Sequence, residues 1–137
     1  MRVFLDANVL FSAAKSDGAV RQLLRLLRDG GHELWADPYT LEEARRNLET
    51  KSPGSLPDLE RLTSDVGVAE RTGDPASLPA DLVLNESDRP VLASAIALGC
   101  EALVTGDRSH FGALYGKSVL GVTVYSPRDL ADTLLKG

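Results

Sequence analysis

A single cysteine, Cys100, leaves this 137-residue chain unable to form an intramolecular disulfide, so its fold rests on a packed core rather than on cross-links. Only 5% of the residues are aromatic, too few for the stacked-ring platforms that hold single-stranded nucleic acid. Positive charge is not in excess either: 15 Lys and Arg stand against 20 Asp and Glu, for a formal net charge of −5. That balance excludes a general basic coat working by phosphate neutralisation. It leaves room for a carboxylate cluster, which adds negative charge and reverses its local sign when it binds a divalent cation. No apolar run approaches the ~20 residues of a membrane span. The chain opens on a strand pattern, without the basic region, apolar stretch and small-residue cleavage site of a secretory signal. A reducing cytoplasm is the expected compartment, with no membrane partner.

What is present is alternation. Arg2-Val3-Phe4-Leu5 is a short apolar run ending in Asp6-Ala7-Asn8, the pattern of a strand buried on both faces that delivers a carboxylate at its carboxyl end. Asp6 equally suits the N-cap of whatever helix follows. Val20, Leu23, Leu24 and Leu27 fall at helical spacing before Gly30-Gly31, and Glu33 to Ala36 makes a second strand. Asp37-Pro38 then reads as an N-cap followed by proline in the first turn, opening a helix with Leu41, Ala44 and Leu48 inward.

Ser52-Pro53-Gly54-Ser55 is a turn; a helix from about Leu56 to Asp65 and a third strand at Val66 to Ala69 follow. Arg71 to Glu86, broken by Gly73, Pro75 and Pro79, yields no element. Ser87 is placed as the cap of an apolar helix ending at Gly99, with Asp88 in its first turn. Ala102 to Thr105 is a fourth strand ending at Gly106-Asp107. A short helix over Ser109 to Tyr115, a last strand over Val119 to Tyr125, and a closing helix carrying Leu130, Leu134 and Leu135 complete the chain. The alternation predicts one domain, 1–137, of α/β class: a parallel five-stranded sheet between helices, in three αβα layers joined by right-handed crossovers.

In a parallel sheet Asp6 and Asp107 leave at the same edge, where ligands of open α/β sheets bind. Asp88 and Glu43, each early in a helix, lie toward that edge as well, with Glu42 as the competitor to Glu43. Crowded carboxylates repel and demand something positive among them. Oxygen ligands without clustered His or Cys select Mg²⁺ or Mn²⁺, ions that activate water and stabilise the leaving oxygen in phosphodiester displacement. The chain lacks a Gly-x-Ser-x-Gly elbow, a P-loop and a Gly-x-Gly-x-x-Gly motif. Asn8 stands where a haloacid-dehalogenase-like phosphatase requires an acid.

These segments, Val3 to Leu10, Glu43 to Leu48, Asp88 with Leu92 to Ala95, and Leu103 to Asp107 with Phe111, together resemble the PIN domain over nearly the whole chain. The resemblance implies a metal-dependent ribonuclease on a parallel five-stranded sheet, similar to the VapC-type toxins of toxin-antitoxin pairs. It implies that Asp6, Glu43, Asp88 and Asp107 are the catalytic, metal-binding acids. Asn8 and Thr105 would support them, and Arg108 would contact substrate. Ser109 stands where many relatives carry a further acid, which implies water-mediated coordination there. An antitoxin, a homodimer and an RNA substrate are the implied partners.

Plainer readings accompany each of these residues. Asp88 is favoured by a helix dipole, and Glu43 is an ordinary helix former. Cys100 reads as a buried small hydrophobe, His32 as a surface-turn residue and Trp35 as core or interface. His110 reads as helix-start packing or as a phosphate contact. Arg45, Arg46, Arg89 and Arg108 are solvated or touch phosphate. The rival function is a catalytically inert PIN-fold module that binds RNA or protein; a phosphatase or a DNA-directed nuclease could use the same acids.

Overall fold

A computed structural model describes residues 1–135. The chain runs β1 (Arg2–Leu5), α1 (Ala7–Lys15), α2 (Ala19–Asp29), β2 (Glu33–Ala36), α3 (Pro38–Lys51), α4 (Leu56–Thr63) and β3 (Gly67–Val68). It continues through α5 (Arg89–Ala97), β4 (Ala102–Val104), α6 (Arg108–Phe111), β5 (Ser118–Val119), β6 (Val122–Tyr125) and α7 (Pro127–Leu135). The strands form one sheet in the order β3-β2-β1-β4-β6-β5. Every pairing is parallel except that of β5 with β6.

The central strand shows why the sheet has no wet face. Val3 and Leu5 point into one apolar cluster with α1, α2, α3, α4 and Leu130 of α7, while Phe4 between them points into the other with α5 and Phe111. β4 repeats the division, with Ala102 and Val104 on the first side and Leu103 on the second. Side-chain alternation along a strand therefore buries both faces, as parallel sheets require. Leu135, assigned with Leu130 and Leu134 to the closing helix, lies outside the residues whose side chains are described. Among the described residues no helix is long and apolar enough to cross a membrane.

Two expectations need correction, and one element goes beyond what was expected. The sheet has six strands rather than five, because the last predicted strand is a hairpin: Val119 pairs with Val122 across Leu120 and Gly121. Both turn residues have positive φ, 47° and 89°, the conformation that matches the twist of a two-residue hairpin. A nine-residue helix, α1, directly follows Asp6, where the sequence reading gave no helix an extent; its buried Val9, Leu10, Ala13 and Ala14 repeat every four residues. The helix predicted over 109–115 is instead a single turn, α6, followed by a 3₁₀ turn at Gly112–Leu114.

The unassigned stretch before α5 is anchored at Gly73, whose amide donates to Ser94 Oγ at 2.7 Å. A Cβ at Gly73 would lie 2.4 Å from the Ala93 carbonyl carbon, so the backbone passes α5 too closely for a side chain. Ser94 in turn donates to Asp37 Oδ2, a fully buried carboxylate. Asp37 caps α3 in a reciprocal box with Thr40, as Asp37-Pro38 predicts. α3 and α5 are thus pinned together through one carboxylate.

Candidate metal centre

Asp6 is the first residue past β1 and is 4% exposed. The Ala7 amide donates to its Oδ1 at 2.8 Å, making it the N-cap of α1. Its Oδ2 accepts the Thr105 hydroxyl at 2.8 Å and the Asn8 amide at 3.2 Å. The cap reading of Asp6 therefore holds, and the same carboxylate keeps a second oxygen tied to Thr105 and Asn8. Thr105, fully buried at the end of β4, also accepts the Asp107 amide at 3.1 Å. Asn8 Oδ1 accepts the Gly106 amide at 2.7 Å. Adjacent parallel strands therefore deliver Asp6 and Asp107 side by side, with Asn8 and Thr105 tying the two loops together.

Asp6, Asn8, Glu43, Asp88 and Asp107 line one cavity of about 200 Å³, joined by Asn47, Ser87 and His110. Glu43 faces it from α3, and Asn47 follows one turn later. Glu42 is exposed and bound by Arg45, which separates the two glutamates. Asp88 is the N-cap of α5 but makes no capping bond; Ser87, the predicted cap, donates instead to Asn85. Asp88 is 8% exposed, and its Oδ2 has no hydrogen-bond partner.

Charge crowding in this pocket moves its acids upward. Burial, partly offset by the Thr105 and Ala7 hydrogen bonds, raises Asp6 from 3.8 to about 6, with Glu43 and Asp107 adding repulsion. Burial and then Asp88 raise Glu43, against the pull of Arg46. Burial also raises Asp88, opposed by His110 and reinforced by Asp6 and Asp107. Three carboxyls whose proton affinity is raised by burial and mutual repulsion, and a buried oxygen without a hydrogen-bond donor, fit a divalent cation: hard oxygen atoms converge with too little positive charge among them.

The remaining expectations divide. Ser109, exposed at the start of α6, donates to Asp107 Oδ1 at 2.9 Å. Arg108 lines a neighbouring cleft with Tyr115 and Arg128 rather than the acid pocket. Arg45 is occupied by Glu42 and Glu49, and Arg89 donates to the Leu82 carbonyl at 3.1 Å. Trp35 is half-buried against Gly67. Cys100 is 3% exposed in the core, and burial pushes its thiol up to about 11. Sequence reasoning missed Asn47, although its spacing of four from Glu43 put both on one helix face.

The sequence profile of the PIN domain matches residues 2–109. The chain belongs to the PIN domain family. Similar solved structures include VapBC2 from Rickettsia felis bound to a DNA fragment from its promoter, at TM-score 0.70 and 16% identity, covering 92% of this chain and 98% of that one. VapBC-1 from nontypeable Haemophilus influenzae aligns at TM-score 0.64 and 14% identity, over 93% of this PIN domain and 99% of the neighbour. FitAB bound to an IR36 DNA fragment aligns at 0.58 and 16%, over 91% and 94%. Among curated proteins none matches the chain. At these identities the neighbours establish the fold alone. The profile match takes in all four acids and stops one residue short of His110.

Proposed function

We propose that this PIN domain is a divalent-cation-dependent endoribonuclease, with Mg²⁺ or Mn²⁺ as cofactor, and that it serves as the toxin of a toxin-antitoxin pair. The observation that carries the reading is the convergence of Asp6, Glu43, Asp88 and Asp107 on one cavity with a buried, unpartnered Asp88 oxygen. Asp6, Glu43, Asp88 and Asp107 would hold the cation. A cation bound there supplies activation of a water and neutralisation of charge on the phosphoryl oxygens. Thr105 and Asn8 fix the Asp6 carboxylate, so its ligand oxygens are aimed before substrate arrives. Ser109 holds one oxygen of Asp107 and leaves the other toward the cavity. Arg108 and Arg128, in the adjoining cleft, offer positive charge to the phosphates flanking the cut.

The toxin role is supported by the neighbours, which are VapBC and FitAB assemblies by name. An antitoxin that covers the acid pocket and a homodimer are the corresponding partners, in the cytoplasm. An inert binding module gains nothing from carboxyls crowded into a buried pocket where burial and mutual repulsion raise their proton affinity.

The test is cleavage of a mixed-sequence RNA by the purified protein with Mn²⁺, with Mg²⁺ and with EDTA, alongside Asp6→Asn and Asp107→Asn. Cutting is expected only with the cation and both carboxylates, and each variant should lose at least ~100-fold, as loss of a transition-state charge stabiliser does. Single-stranded DNA and a phosphomonoester serve as competing substrates. Cutting of DNA alone, or none accompanied by no acid-dependent Mn²⁺ binding, overturns the reading in favour of a DNA nuclease or a binding module respectively.

A further inference from the structure

One polar group in the acid pocket is not an acid. His110 follows Asp107 by three residues on α6, and its Nδ1 stands 2.7 Å from Asp88 Oδ2 and 3.0 Å from Asp107 Oδ2. The distance to Asp88 suits a hydrogen bond, yet the ring N–H is not directed at that oxygen, which has no donor.

We propose that His110 Nδ1 is a ligand atom, with Asp88 Oδ2 and Asp107 Oδ2, of a divalent-cation position that takes transition-metal ions such as Mn²⁺ in preference to Mg²⁺. This inference rests on the acid pocket being a cation site, as set out above. Three features carry it. The first is spacing: neighbouring ligands of an octahedral ion bound at about 2.1 Å lie about 3.0 Å apart, and the two measured edges are 2.7 and 3.0 Å. The second is direction. An oxygen sharing an ion with a ring nitrogen lies roughly 45–50° off the nitrogen lone-pair axis, because the ion occupies that axis. A contact short in distance but poor in hydrogen-bond angle is what such an arrangement produces.

The third feature is the state of the two carboxylates. Asp107 Oδ1 is occupied by the Ser109 hydroxyl at 2.9 Å and by the His110 amide at 3.2 Å, so Oδ2 is the oxygen left for the cation. Asp88 Oδ2 belongs to a residue 8% exposed and is aimed into the cluster without any other partner. The serine at 109 thus locks an acid in orientation, and the next residue adds a nitrogen. Nitrogen is the discriminating element, because imidazole suits borderline ions and raises affinity along the series from Mn²⁺ towards Zn²⁺, whereas Mg²⁺ favours an all-oxygen shell. Ligation through Nδ1 places the ring proton on Nε2 of a side chain that is 39% accessible.

The test uses the full-length protein stripped of metal. Calorimetric titration with Mn²⁺ and with Mg²⁺ is compared between wild type, His110→Ala and His110→Gln, and electron spin-echo modulation of the Mn²⁺ complex reports ¹⁴N within bonding range. Expected are a ¹⁴N coupling in the wild type, its loss in both variants, and its return when imidazole is added to His110→Ala. Mn²⁺ affinity should fall about 10-fold or more in the variants, while Mg²⁺ affinity changes by less than about 3-fold. Absence of the ¹⁴N coupling in the wild type, or equal losses for the two ions, overturns ligation by His110 and leaves the acid site standing. Failure of Mn²⁺ to bind the wild type at all overturns both. Nitrogen-ligated Mn²⁺ without RNA cleavage overturns only the nuclease.

Discussion

Asp6 carries opposing demands within one carboxyl group. As a cap it gives α1 a hydrogen-bonded start, a contribution of about 1 kcal/mol. As a buried acid held at about 6 it is uncomfortable when charged without a cation. An amide keeps the cap and removes the charge. Asp6→Asn is therefore expected to raise the melting temperature of the metal-free protein by roughly 3–6 °C at pH 8 and to leave it unchanged at pH 4. Thermal unfolding at the two pH values decides this; destabilisation of similar size at both would mean that the hydrogen bonds outweigh the charge. At this scale the four acids were legible, because each follows a recognisable strand end or lies early in a helix. Glu43 was chosen over Glu42 by the resemblance alone; the physical distinction lies in side-chain packing, since the two sit on adjacent helix positions and only Glu42 is bound by Arg45. The ring of His110 carried no signal of its own: a histidine beside an aspartate is ordinary until a third group converges on the same point.

Elements deliver these residues, and their mutual placement depends on small contacts far along the chain. α3 brings Glu43 and α5 brings Asp88, and Asp37, Ser94 and Gly73 hold those helices and the preceding loop in line. Gly73→Ala is expected to cost about 2 kcal/mol by forcing the loop away from the α5 backbone, read as a lower denaturant midpoint. Mn²⁺ affinity should fall with it, because the displaced loop leads directly into Asp88 at the start of α5. A stability loss with unchanged Mn²⁺ binding would show that Asp88 is held from elsewhere. Asp37-Pro38 announced its helix because capping and a first-turn proline are local chemistry. The loop from Arg71 to Glu86 stayed unreadable since its anchor is a serine 21 residues away. The hairpin at Leu120-Gly121 was hidden for a different reason: a leucine at positive φ is not a residue that advertises a turn.

For the whole molecule, the raised acids set how stability depends on pH. Asp6, Glu43 and Asp88 all hold protons more tightly folded than unfolded. Between about pH 4 and 6 the unfolded chain releases those protons first, so the native state binds more of them and its stability falls as pH rises. For Asp6 alone the loss is on the order of 3 kcal/mol. Urea unfolding of the metal-free protein should reveal this decline. Saturating Mn²⁺ should reverse it above pH 6, by about 2.7 kcal/mol at one hundred times the dissociation constant. A metal-free stability that climbs across that window would contradict the burial of these acids.

The three-layer architecture was readable because short apolar runs and helically spaced segments took turns along the chain. Its consequence for the living protein lies in the pairing of β1 with β4, where Asp6 donates its amide to Val104 and Asn8 grips Gly106. The two halves of the pocket are separated by about a hundred residues of chain and meet only across neighbouring strands. During synthesis β1, β2 and the first helices can collapse together, but one edge of β1 stays open until β4 has left the ribosome. Only then can Asp107 take its place beside Asp6. A product truncated before β4 therefore lacks the assembled acid pocket.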